Sequence, residues 1–249
     1  MAVDDPKGRT LCVCALYPDL MNIYADRGNL FVLQKRCEWR GIGFQLSGSG
    51  LGEALDGQTQ DIYYIGGGQD RDQLLCAEDL VAGKRDALHE AASRGALVLG
   101  VCGGYQLLGE SYALGGGELQ GVGLLDVRTV REPGERLIGN VAIDVELDGE
   151  KRVLAGFENH GGRTYLGPDA SPLGRVLKGH GNDGRSGFEG ARFGNTIGTY
   201  LHGPLLPKNA WFADWLIAAA LGIDAEGLTS IDDSFEDAAH ASARHAAGV

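Results

Sequence analysis

Residues 96–109, ALVLGVCGGYQLLG, constrain this chain more than any other stretch. The apolar run Ala96-Leu97-Val98-Leu99, bounded by Gly95 and Gly100, reads as a buried parallel strand. Cys102 follows, then Gly103-Gly104, and Tyr105-Gln106-Leu107-Leu108 opens a helical pattern. A strand, a sharp turn carrying a nucleophile and a helix make a nucleophile elbow, here with Cys in the place of Ser. The flanking glycines permit the strained turn and let a substrate approach the backbone. The helix N-terminus favours the thiolate, and the amide after Cys102 can point at a developing oxyanion. The bland alternative is a buried, inert cysteine before a glycine turn. The strand-turn-helix context argues against it.

The rest of the chain reads as the α/β protein that such an elbow needs. At 249 residues with 43% hydrophobic content, it is long enough for one large domain. Its 41 glycines form no repeat and predict a loop-rich fold. A net charge of −12 without a basic stripe argues against nucleic acid as a partner. The N-terminus has no apolar core of a signal peptide, and no run is long enough to span a bilayer. Five cysteines without a CxxC pair fit a reducing cytoplasm rather than a disulfide framework or a zinc site. Cys12 and Cys14 are expected on one face of the first strand, in the core.

In chain order, residues 11–16 read as a strand, followed by the polar loop 17–29. Asn29 is placed to cap a helix over 30–40. A second strand is expected over 44–46 and a third over 61–65, ending in Gly66-Gly67-Gly68. Glycines at a strand's carboxyl end lie where open α/β sheets bind ligands. Helical periodicity over 73–94, in two pieces around Gly83, precedes the elbow. This order predicts a mostly parallel central sheet flanked by helices. The second half is richer in strands, over 122–130, 139–146, 152–157 and 196–201, with a polar excursion over 176–190. A helix is expected over 211–221. The expected layout is a flexible tail over 1–10, one domain over 11–223 and an acidic, Ala-rich extension over 224–249 with a mobile end.

A thiol nucleophile needs a base, and His is the usual choice. His89 lies on a helix face, His180 in a glycine-rich stretch, and His240 and His245 in the tail. That leaves His160 and His202. His202 is favoured because it ends a strand expected beside the elbow, on the same edge of the sheet. His160 stays open as the alternative, on a loop with Asn159 and Arg163.

Cys102, His202 and the triple glycine, together with the stretches LYPDLMNIYADRGN, YIGGGQDRDQ, GFENHGGRTYLG and GTYLHGPLLPKN, resemble class I glutamine amidotransferases. The resemblance is to the branch that includes cobyric acid synthase, and within it to the GatD-type subunits of lipid II isoglutaminyl synthases. It implies a flavodoxin-like three-layer sandwich. It further implies that Cys102 attacks the side-chain amide of L-glutamine and forms a γ-glutamyl thioester, releasing ammonia, with His202 moving the protons. Gly103 and Gly68 would supply the oxyanion hole. Arg136 would pair with the substrate α-carboxylate, a task suited to a guanidinium fork.

No phosphate-cradling loop is present, so the chain is expected to use no cofactor itself. The resemblance implies a Mur-ligase-like partner that uses ATP and Mg to amidate the D-glutamate α-carboxyl of the lipid II stem peptide. The pair would be a heterodimer in the cytoplasm, at the inner membrane face by association. Alternatives are an amidotransferase of the cobyric acid type, an intracellular cysteine hydrolase and a non-catalytic partner protein. One departure from the family pattern matters. Most class I members carry an acid two residues after the catalytic His, whereas this chain carries Pro204. The expectation is a carboxylate supplied by the partner, with Glu158 and Asp19 as the candidates within the chain.

Overall fold

The structure, a computed structural model, describes residues 6, 8–23, 26–114 and 117–249, the Leu114 side chain excepted. Strands β1 (Thr10–Leu16), β2 (Gly43–Ser49), β3 (Ile62–Ile65) and β4 (Leu97–Val101) pair in parallel. Helix α1 (Arg27–Trp39) connects β1 to β2, and α2 (Asp70–Asp79) and α3 (Arg85–Ser93) connect β3 to β4. A π-helical turn, Leu80–Lys84, separates α2 from α3. This is the break expected around Gly83. Lys84 is buried there against Asp79, with its ammonium 5.0 Å from the Tyr17 ring.

After α4 (Gly103–Leu108) the chain builds β5 (Ser111–Leu114), β6 (Gly117–Gln120), β7 (Val127–Val130), β8 (Leu137–Leu147) and β9 (Glu150–His160). Then follow β10 (Arg163–Leu166), β11 (Gly174–Lys178), β12 (Phe188–Glu189), β13 (Ala191–Phe193) and β14 (Thr196–Thr199). Helices α5 (Leu205–Lys208), α6 (Ala210–Leu221) and α7 (Ser234–Ala247) complete the described chain.

The central sheet has the order β13-β14-β4-β3-β1-β2 and is parallel except for the edge strand β13. Its strands are apolar on both faces because both are covered. Along β1, Leu11, Val13 and Ala15 enter one core with Leu33 of α1 and Phe212, Leu216 and Ile217 of α6. Cys14 and Leu16 enter the other, with Leu80, Leu88 and Leu107. Each fully buried Leu or Val contributes about 1.5–3 kcal/mol. The result is the α/β three-layer architecture expected from the sequence. Cys14 lies in the core, while Cys12, near the start of β1, is only partly covered.

Two antiparallel-rich sheets stand beside this core, β10-β7-β5-β6 and β12-β11-β8-β9. The expected strand over 122–130 is strand only from Val127, and a hairpin, β5-β6, occupies residues for which the sequence suggested none. The polar excursion over 176–190 contains β11 and a compact turn, in which Asp183 Oδ1 accepts the amides of Arg185 and Ser186. Asn29 is not a cap. It lies inside α1, where its amide donates to the Tyr64 hydroxyl and its oxygen accepts the Leu206 amide. Buried Arg36 of α1 pairs with Asp214 of α6 and with Asp233 just before α7. Helix α7 packs on β8, β9 and α5. Among the described residues no helix is long and apolar enough to cross a membrane.

Candidate active site

Cys102 stands between β4 and α4 at φ 55° and ψ −108°. A non-glycine residue there stores about 1–3 kcal/mol of backbone strain. The surroundings enforce it. The Cys102 amide donates to Thr199 of β14 at 2.8 Å, and the Gly104 amide donates to the Gly66 carbonyl at 3.0 Å. A Cβ on Gly104 would lie 2.2 Å from the Ile65 carbonyl oxygen, so only glycine lets α4 descend this close to β3.

The cysteine opens onto a cleft of about 240 Å³ shared with Gly68, Gly103, Asp70, Gln73, Arg136 and His160. That volume lies below the roughly 300–1,000 Å³ of drug-sized pockets and suits a ligand of amino-acid size. Gly68 and Gly103 are adjacent: a Cβ on Gly103 would lie 3.2 Å from the Gly68 nitrogen. Arg136 precedes β8 and is braced by Asn159 of β9. Its Nε donates to Asn159 Oδ1 and its Nη2 to the Asn159 carbonyl, both at 2.9 Å. Four of the five residues proposed from the sequence, Cys102, Gly68, Gly103 and Arg136, therefore line one cleft.

The fifth, His202, lies at the same end of the sheet but does not line that cleft. Strands β14 and β4 are parallel neighbours with Thr199 opposite Val101, so Cys102 and His202 follow adjacent strands at one end of the sheet. His202 is buried, and its ring meets Phe157 edge to face at 5.8 Å. His160 does line the cleft, stacked on Tyr200 at 3.6 Å, with Nδ1 held by the Gly162 carbonyl at 2.9 Å. A carbonyl only accepts, so Nδ1 of His160 carries the proton. The Glu158 carboxylate, fully buried, accepts the amides of His180 and Gly181 and comes within 3.9 Å of His160 Nε2.

Burial sets the resting charge state. It pushes the Cys102 thiol up to about 12, with Asp26 adding to the shift, while the Gly103 amide and Arg136 oppose it. Burial, with the positive surroundings of His160, Lys208 and Arg136, pushes His202 down to about 4 against the pull of Glu158. Near neutral pH the pair is thiol and neutral imidazole, not an ion pair. The imidazole is thus in its base form, but proton transfer to it is uphill.

Several polar residues around the site carried no signal in the sequence. Gln73 donates to Gln106 at 2.7 Å, Gln106 donates to the Tyr200 hydroxyl at 3.1 Å, and Tyr200 lies 2.6 Å from Thr164. Of these, Gln73 and Gln106 line the cleft. Only Gln106, one helical turn after Cys102, was placed for notice. Asp26 is buried behind the triple glycine, and burial pushes its carboxyl up to about 7 against the pull of the Gly67 amide and the Tyr64 hydroxyl.

Comparison with known proteins places this arrangement. Residues 12–210 match the CobB/CobQ-like glutamine amidotransferase domain. The chain is 41% identical over 203 residues to the lipid II isoglutaminyl synthase (glutamine-hydrolyzing) subunit GatD of Staphylococcus aureus, covering 81% of each chain. It is 38% identical over 212 residues to the subunit of the same name from Streptococcus pneumoniae, covering 85% of this chain and 80% of that one. Cobyric acid synthase of Chlorobaculum tepidum matches at 38% over 129 residues, a quarter of its length. A solved structure, PurLQS from Thermotoga maritima, shares the fold with a TM-score of 0.54 at 23% identity, covering 78% of this chain and 87% of that one. The chain belongs to the CobB/CobQ-like glutamine amidotransferase family.

Proposed function

We propose that this chain is the glutaminase subunit of a lipid II isoglutaminyl synthase. The observation that carries the reading is the strained Cys102 at the head of a cleft it shares with Arg136, in a chain 41% identical over most of its length to a subunit of that name. The Arg136 fork pairs with the α-carboxylate of L-glutamine and lays the side-chain amide over Cys102. Sγ attacks the amide carbon as its proton passes to His202. The oxyanion takes hydrogen bonds from the amides of Gly103 and Gly68. His202 then protonates the leaving nitrogen, ammonia departs, and a γ-glutamyl thioester remains. Water, deprotonated by His202, attacks the thioester and returns glutamate and the free thiol.

The ammonia is passed to a Mur-ligase-like partner, which uses ATP and Mg to activate the α-carboxyl of D-glutamate in the stem peptide and form the amide. The two chains make a heterodimer in the cytoplasm, and the partner brings the pair to lipid II at the membrane face. Co-purification tests this reading. The partner should come down with this chain, and the pair should amidate lipid II with L-glutamine as nitrogen donor. A pair that uses ammonia but not glutamine would refute it.

A further inference from the structure

We propose that the loop between β1 and α1 sets the orientation of the Gly68 amide, with Asp26 as the positioning residue of the oxyanion hole. This rests on the glutaminase reading above. Both backbone polar groups of Gly67 are taken by that loop. The Gly67 amide donates to Asp26 Oδ2 at 2.7 Å, and its carbonyl accepts the Ile23 amide at 3.1 Å.

The second bond matters because the Gly67 carbonyl and the Gly68 N–H belong to one peptide plane. In a trans peptide they point in opposite directions. Holding the carbonyl toward Ile23 therefore turns the Gly68 N–H away from Ile23, and Gly103 lies against Gly68 N. Three successive glycines have little conformational preference of their own, so the 66–68 segment needs external bonds to hold one orientation. Asp26 supplies the fixed end. It is 1% exposed, and a Cβ on Gly66 or Gly67 would lie 3.0 or 3.3 Å from its Oδ2, so the glycines press directly on the carboxylate.

The same carboxyl connects to the base side of the site. The Tyr64 hydroxyl interacts with Asp26 and accepts from Asn29 at 2.9 Å, and Asn29 accepts the Leu206 amide at 2.8 Å. Leu206, in α5, lies four residues beyond His202. Asp26, Tyr64 of β3 and Asn29 of α1 thus join the triple glycine to the segment after His202 in one network. Asp26 itself does not line the cleft and touches no substrate, so its hold on the oxyanion passes through the Gly67 and Gly68 peptides.

The test uses the chain in complex with its partner and compares Asp26→Ala and Asp26→Asn. Each variant is read in glutaminase kcat and KM, and in the rate at which iodoacetamide alkylates Cys102. Alkylation reads the thiol without an oxyanion. Loss of one oxyanion donor predicts that Asp26→Ala lowers kcat by roughly 100-fold, with KM within about threefold of wild type and alkylation as fast as wild type or faster, since the variant also loses a charge that raises the thiol pKa. Asp26→Asn keeps an acceptor for the Gly67 amide and should recover kcat to within about tenfold of wild type. If Asp26→Ala does not fold, Asp26→Ser, too short to reach the Gly67 amide, takes its place with the same expected values. A wild-type kcat in the shortened variant overturns the proposal. So does a loss confined to KM, a matching loss of alkylation, or an Asp26→Asn variant as slow as the shortened one. A wild-type complex without glutaminase activity would instead refute the functional reading.

Discussion

His202 and Phe157 exchange both of their backbone hydrogen bonds, His202 N–H to Phe157 O at 3.0 Å and Phe157 N–H to His202 O at 3.1 Å. The residue expected to act as base is thus fixed by strand β9 of a peripheral sheet, not by the central sheet that delivers it. The same strand carries Asn159, which braces Arg136. One antiparallel strand therefore positions both His202 and Arg136. Phe157→Ala leaves the backbone exchange and removes the ring at 5.8 Å from the imidazole. An aromatic edge contact of this kind is worth about 0.5–1.5 kcal/mol, which predicts a fall in kcat of up to about tenfold in a stopped glutaminase assay. A loss as large as that of His202→Ala would mean that the ring, not the backbone, positions the base.

Arg136→Ala should cost about 1.5–3 kcal/mol in kcat/KM for L-glutamine, the range of a charge-assisted hydrogen bond. The loss should fall mainly on KM, since the α-carboxylate is gripped alike in ground and transition states. Asn159→Ala should show a smaller loss of the same kind and be non-additive with Arg136→Ala, because its side chain acts through its bond to Arg136 Nε, while the bond from Arg136 to its backbone carbonyl remains. Unchanged kcat/KM in Arg136→Ala rules out the role.

The thiol near 12 and the imidazole near 4 predict a slow enzyme in isolation. A carboxylate brought close to His202 would raise its basicity and ease the proton transfer. With Pro204 where most class I members carry an acid, the partner is the expected source. Adding the partner without ATP or lipid should accelerate ammonia release. An isolated chain as fast as the complex contradicts this.

Asp26 also gives stability a pH signature. Its carboxyl moves from 3.8 to about 7 in the fold, so its contribution is full below about pH 4 and is lost as pH rises through 7. Asp26→Asn removes that dependence. The difference in Tm between Asp26→Asn and wild type should therefore move in favour of the variant between pH 5 and pH 8. A pH-independent difference would show that Asp26 stays ionised in the fold.

The legibility of this chain in its sequence follows the range of the interactions. The elbow was readable because everything that makes it is local: the apolar run of β4, the glycines, and the start of α4. The delivery of His202 from the strand next to that of Cys102 followed from the order of parallel strands. Asn29 misled because an Asn before an apolar run looks like a helix cap, while its actual partners, Tyr64 and Leu206, are 35 and 177 residues away. Asp26 and Gln73 carried no local signal, since each acts only on segments brought to it by the fold. Arg136 had the pattern of an ordinary loop arginine, and only the family resemblance singled it out. The bond between His202 and Phe157 joins residues 45 apart, one on β9 and one past the end of β14, which no periodicity in either segment records.

Ammonia release from L-glutamine by Cys102→Ala, purified with the partner and matched to wild type in thermal unfolding, tests the central claim most directly. Removing a nucleophile that forms a covalent intermediate predicts a loss of roughly 10⁴-fold or more in kcat with the fold intact. Release at the wild-type rate would show that Cys102 is not the nucleophile.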